Sequence, residues 1–168
     1  MASVVDFSNI SDDALPVKEM LDGIVERVAA IYQSYNVPLP KRQYWTFGTP
    51  VVDCEQMVVS LQQMYLGPPG DQASRPQRCN TVRTAVMNIM VAREANTVGM
   101  NGRAPSAEAI EKAGYMSAVD SWVLMESINL LDQWDDTGYG VGVIATLETP
   151  SPEGGYQVVN LQVTMAVP

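Results

Sequence analysis

Histidine is absent from the 168-residue chain. That removes the commonest general base, the Ser-His and Cys-His nucleophile pairs, and every histidine-containing zinc set. Cations are scarce: 10 Lys and Arg face 19 Asp and Glu, for a formal net charge of −9. Tight binding to nucleic-acid phosphates asks for the opposite sign. An acidic surface can still border DNA that slides past it rather than being held. There is no run of about 18 apolar residues, so no membrane span and no membrane partner are expected. The opening MASVVDFSNISDDALP has no basic region and carries early acids, unlike a secretory signal. These features describe a soluble protein made in a cytoplasm.

Cysteine is nearly absent too. Cys54 and Cys79 are the only two, and they bracket a stretch dense in Gly and Pro, LGPPGDQASRP. If 55–66 and 79–93 form a hairpin, both cysteines stand at strand beginnings, which lie at opposite ends of an antiparallel pair. About eleven residues at about 3.3 Å each put them roughly 35 Å apart. A disulfide needs Cα atoms within about 7 Å, so the pair is expected reduced. Two thiolates without histidine also make only half a structural zinc site.

What is present is enough apolar material for one domain with a core: 46% of residues are hydrophobic. Residues 1–13 read as an N-terminal arm and 14–168 as a single domain. A helix fits Ala14 to Tyr35, with Val17, Met20, Leu21, Ile24, Val25, Val28, Ile31 and Tyr32 on one stripe. Ser11, Asp12 and Asp13 precede it as cap and first-turn acids, and Pro38 and Pro40 end it. Gln43 to Gly48 reads as a short aromatic strand. The Pro/Gly loop makes the next two segments antiparallel partners. A second helix spans Ser106 to Trp134, capped by Ser106, and is apolar all round from Trp122 to Met125, which implies burial on two sides. GYGVGVIATLE and GYQVVNLQVTMAVP form a last strand pair turned by TPSPEGG. In the second, Val159, Leu161, Val163, Met165 and Val167 alternate with polar residues. The order is α-β-β-β-α-β-β. The expected fold is α+β: an antiparallel sheet of about five strands with two long helices packed on it.

No constellation carries chemistry. DQWDDTG, Asp132 to Gly138, lacks the spacing of a calcium loop and reads as a polar helix exit. LGPPGD and VGMNGRAPS lack the Lys-Ser or Lys-Thr of a phosphate loop, and no Gly flanks Ser121. No catalytic, cofactor-binding or metal residue is assigned, and no cofactor is expected. The ten methionines, among them Met57, Met64, Met87, Met90, Met116 and Met125, leave two readings open. They fill an irregular core, or they form an adaptable contact surface. Strands that outrun their sheet present edges that pair with neighbours, which favours assembly.

The strings YLGPPGD, PQRCN, GRAPS and GVIAT…EGGYQ…AVP, spread between about Val37 and Pro168, resemble the tail terminator proteins of long-tailed phages of actinobacteria. The resemblance implies an α+β protein in a hexameric ring. Such a ring caps the last ring of the tail tube, ends its growth and meets the head connector, with DNA passing through the lumen. The implied partners are further copies of the chain, the tail tube protein and the head–tail connector or stopper. DNA passes without specific binding, and the expected location is the virion tail or neck after assembly in the host cytoplasm. The family has no catalytic residues to carry over.

For a neighbour contact, the candidates are Gly67, Pro68, Pro69, Arg75, Pro76 and Arg78 of the hairpin loop, with Met100 and Arg103 of the next loop. Prolines stiffen the first loop and lower the entropy lost on docking. For an acidic lumen wall, the candidates are Asp135, Asp136, Glu148 and Glu153, clustered at loops. Two alternatives remain: another neck ring, such as a head–tail stopper or connector, and a small carboxylate-based hydrolase.

Overall fold

The computed structural model describes residues 15–70, 83–95, 104–132, 143–150 and 155–167. In chain order they form α1 (Leu15–Ser34), β1 (Arg42–Phe47), β2 (Gln56–Leu66), β3 (Arg83–Glu94), α2 (Ala107–Asp132), β4 (Ile144–Glu148) and β5 (Tyr156–Val167). This is the expected α-β-β-β-α-β-β order, with the helices trimmed to 20 and 26 residues.

Local chemistry explains the helix ends. α1 stops where Asn36 takes a left-handed φ of 53°. Val37 N–H then donates to the Tyr32 carbonyl at 2.9 Å and Asn36 N–H to the Gln33 carbonyl at 3.0 Å. These two bonds are those of a Schellman ending, and Pro38 follows. α2 starts as its sequence suggests: the Ser106 hydroxyl accepts from Ala109 N–H at 3.2 Å.

The sheet has the order β1-β2-β3-β5-β4. Its β2–β3, β3–β5 and β5–β4 pairs are antiparallel, but β1 runs parallel to β2, from Arg42 opposite Gln56 to Phe47 opposite Leu61. The expected antiparallel sheet is therefore corrected to a mixed one. A parallel neighbour usually needs a crossover of about a dozen residues, and here 48–55 suffices. β1 is only six residues long, or about 20 Å, and eight extended residues reach about 26 Å. Gly48, at a φ of 70° that a side chain would strain, turns the chain out of β1. The return is held by Gln62 Nε2 to the Gly48 carbonyl, Gln56 Nε2 to the Val51 carbonyl, and Arg42 Nη1 to Asp53 Oδ1 at 2.6 Å.

Both helices lie on one sheet face, α1 over β1 and β2, α2 over β5 and β4. The core joins Leu21, Ile24, Val28 and Tyr32 of α1 and Val123 and Leu124 of α2 to Met57, Val59, Met87, Ile89, Leu161 and Val163 of the sheet. Met57 and Met87 are thus core fillers, while Met64 and Met125 are exposed. The expected two-sided burial of Trp122–Met125 is not met within one chain. Val123 and Leu124 are fully buried, and Trp122 and Met125 face out. A helix one layer thick over a sheet has only one covered side.

Candidate protein interface

The hairpin register places the start of β2 at the far end from the start of β3: Gln56 pairs with Ala92, and Leu66 with Arg83. A register shift between Leu61 and Gln63 marks a bulge. β1 pairs only as far as Leu61, so the last residues of β2 extend past it. Burial changes at the same place: residues 56–61 are buried, while Gln63, Met64 and Leu66 are exposed.

Of the loop candidates, Gly67, Pro68 and Pro69 are described, and the first two turn back onto their own sheet. The Thr84 hydroxyl donates to the Gly67 carbonyl and the Tyr65 hydroxyl to the Pro68 carbonyl. Gly70, at a φ of 95°, lies so close to β4 that a Cβ there would meet Ile144 Cδ1 at 3.1 Å. Glu148 ends β4, exposed, opposite Asn160. Ala145 and Leu147 pack on the core, so alternation puts Glu148 on the face away from the helices. Arg75, Pro76, Arg78, Met100, Arg103, Asp135, Asp136 and Glu153 lie outside the described residues, as do Cys79, the expected cap residues Ser11–Asp13 and most of DQWDDTG. Cys54 is a free thiol, accepting from Arg42 Nη1 at 3.6 Å.

On that same open face, register aligns Thr46, Ser60, Asn88, Gln162 and Thr146 side by side across all five strands. The row is polar and uncharged. Among the described residues, Asn88 Oδ1 at its centre is the one buried side-chain oxygen or nitrogen without a hydrogen-bond partner.

The densest polar cluster leaves no motif along the chain. Asp120, on α2, has a side chain only 2% exposed. It accepts from Arg93 Nε of β3 at 2.6 Å, from Arg93 Nη2 at 2.8 Å and from the Tyr32 hydroxyl of α1 at 2.9 Å. Arg93 Nη2 also donates to the Pro38 carbonyl at 2.8 Å. The fork-shaped guanidinium thus ties both helices, the central strand and the α1–β1 link together. Burial, and then the neighbouring Asp120 charge, hold the Tyr32 hydroxyl far above its ordinary range. Burial pulls the Arg93 guanidinium down, but the hydrogen bonds and charge of Asp120 outweigh it and raise it. With every strong group satisfied, the cluster is suited to holding elements in place, and a signal for it exists only in three residues distant in sequence.

The outer surface carries more apolar bulk than a sheet with two helices needs. On the β1 side Phe47 is 63% exposed and Val51 77%. On α2, Tyr115 is 69% exposed, Trp122 47% and Met125 46%. Trp122 meets Tyr35, just past α1, edge-on with ring centroids 4.3 Å apart. Among the described residues no group of three His, Cys, Asp or Glu side chains could hold a metal ion. Among them, too, no helix is long and apolar enough to cross a membrane. No protein-family model and no curated protein matches the chain.

Proposed function

We propose that this chain is a structural protein of a phage tail, a tail terminator that forms a ring, probed best as a hexamer. The ring caps the tail tube, ends its growth and joins it to the head connector, and DNA passes through its lumen. Its partners are further copies of the chain, the tube protein and the connector or stopper; no cofactor or catalysis is assigned. The specific assignment rests on the resemblance of YLGPPGD, PQRCN, GRAPS and the C-terminal strings. The observation that carries an assembling role is the large apolar surface left exposed on both halves of the domain, at Phe47 and Val51 and along α2. Exposed patches of this kind mark contact surfaces. The α+β order supports the same reading. So does a chain of charge −9, which would repel phosphates rather than grip them. The neutral row from Thr46 to Thr146 and the outlying Glu148 are compatible with a wall that does not hold DNA.

The test is particle averaging of the virion neck with side chains placed. A six-fold ring of this chain seated on the last tube ring is the expected result. A ring on the connector side of the neck would assign the neighbouring stopper role. Absence of the chain from the virion would overturn the proposal.

A further inference from the structure

β1 and β4 are the outer strands of the sheet, and among the described residues neither has a neighbour on its far side. Both are regular. β1 holds an unbroken ladder of six pairs to β2, and β4 one of five to β5. A proline, a bulge or a charge inside the strand is what usually protects such an edge from pairing. Neither RQYWTF nor IATLE has one in its interior. Burial at both edges is unfinished. Trp45 of β1 and Ala145 and Leu147 of β4 pack on the core yet stay partly exposed, and Phe47 is 63% exposed.

Direction and register fit these two edges to each other. β2 runs parallel to β1, β3 opposes β2, β5 opposes β3 and β4 opposes β5, so β4 points against β1. A second copy set beside the first in the same orientation, with its helices on the same face, therefore presents its β4 antiparallel to β1. Only two registers pair all five residues of β4 with β1, one against 42–46 and one against 43–47. A slip of one residue turns every side chain to the other face. Only the register against 42–46 keeps the core-side Trp45, Ala145 and Leu147 on one face. That register, chosen by face alone, sets Arg42 opposite Glu148, both exposed. It also sets the large Trp45 opposite the small Ala145, and Phe47 opposite Val143. Arg42 keeps Asp53 on Nη1, and the exposed Lys41 beside it adds a second cation on the β1 side. A β1–β1 or β4–β4 joint lacks this complementarity, since RQYWTF holds no acid and IATLE no base.

We propose that β1 of one copy and β4 of the next join in this register, so that the five-stranded sheets of neighbours run on as one. The backbone hydrogen bonds of an antiparallel ladder supply the attachment. The Arg42–Glu148 and Trp45–Ala145 pairs set its register. Each copy uses two different edges, so the contact is head-to-tail. Its repetition gives a closed ring or an open filament and not a two-fold dimer. The inference deepens the ring proposed above by naming its subunit joint. Closure of the ring rests on that reading; the pairing of the edges does not.

Cross-linking reads the register. In full-length chains with Cys54 and Cys79 replaced by Ser, Tyr44→Cys and Thr146→Cys put thiols at directly opposed positions of the joint. Opposed Cα atoms of an antiparallel pair lie about 4.5–5.5 Å apart, within reach of a disulfide. Within one chain the two positions are four strand spacings apart, about 19 Å, and cannot bridge. An equal mixture of the two single variants, oxidised with copper phenanthroline at up to about 1 mM, is expected to give a covalent 1:1 dimer at least about 10-fold more abundant than either variant gives alone. A chain carrying both cysteines is expected to give a covalent ladder of multimers. Thr46→Cys with Ile144→Cys, the next opposed pair on the same face, replaces the first pair should either variant lose its native circular-dichroism spectrum. Dimers from Tyr44→Cys alone would mean β1–β1 pairing, and dimers from Thr146→Cys alone β4–β4 pairing. No dimer from either pair would mean that the edges do not meet. Each of these results overturns the joint. The ring is judged separately. A ladder that ends in closed rings supports both. Open filaments keep the joint and remove the ring. A ring in the virion neck whose copies do not cross-link leaves the ring and removes the joint.

Discussion

α1 and α2 share one layer on one sheet, yet they treat their apolar residues differently. α1 turns Met20, Leu21, Ile24, Val28, Ile31 and Tyr32 inward and shows Lys18, Glu19 and Glu26 on its other positions. α2 buries Val123 and Leu124 but leaves Tyr115, Trp122 and Met125 outside. The sheet repeats the contrast: β2 is buried from Gln56 to Leu61 and exposed beyond it. One helix is complete within the monomer, and the other has apolar surface to spare. The difference separates residues that hold the domain together from residues available to join it to something else.

The sharpest way to break that division is at the cluster between the helices. Asp120→Ala leaves the half-buried Arg93 guanidinium and the buried Tyr32 hydroxyl without their partner, and removing one member of a buried pair costs up to about 3–5 kcal/mol. Chemical denaturation is expected to show a loss of that size. A loss below about 1 kcal/mol, the range of exposed pairs, would mean that the cluster is not a structural tie. Next, Ile24→Ala removes core volume from α1 and is expected to cost about 2–5 kcal/mol. Tyr115→Gln, on the outer stripe of α2, is expected to change stability by no more than about 0.5 kcal/mol. Equal losses at the two sites would erase the contrast between the helices.

Tyr32→Phe deletes one bond to a charged acceptor and is expected to cost about 1.5–3 kcal/mol. It also has a signature in pH. The Tyr32 hydroxyl is raised in the folded chain by burial and by Asp120. The folded state therefore keeps this proton when the unfolded state loses it. Its contribution is whole below the ordinary tyrosine value of about 10 and is lost as pH rises beyond it. Denaturation midpoints above pH 10 are expected to fall more steeply in the wild type than in Tyr32→Phe, and parallel curves would refute the assignment. The smallest effect is a change of mass alone. Alkylation under denaturing conditions without reductant is expected to label both Cys54 and Cys79. An internal bridge would contradict the observed pairing of Gln56 with Ala92 and Leu66 with Arg83.

Local chemistry made several elements legible in the sequence. The Ser106 cap, the α1 stripe and its proline stop, and the alternation of Val159 through Val167 all act over a few residues, and each appears where expected. The direction of β1 was not legible. Gly48–Glu55 is short enough for a hairpin, and only side-chain anchors such as Gln56 to Val51 and Arg42 to Asp53 make it a parallel return. Asp120 was equally hidden, because its partners Tyr32 and Arg93 are 88 and 27 residues away. The outward turn of Trp122 and Met125 could not be read either, since an all-round apolar helix does not say which side the same chain covers. Of the interface candidates, Gly67 and Pro68 accept hydrogen bonds from their own hairpin, and the neighbouring Gly70 lies against β4. The exposed apolar residues Phe47, Val51 and Tyr115 are not legible in the sequence, because a single apolar residue gives no sign of its exposure.

The ring is the central claim, and a side-chain-resolved map of the virion neck tests it most directly. The expected result is six copies of this chain in a closed ring on the last ring of the tail tube, with acids outnumbering Lys and Arg on the inner wall. A neck without this chain, or a lumen lined mainly by its few Lys and Arg residues, would contradict the account.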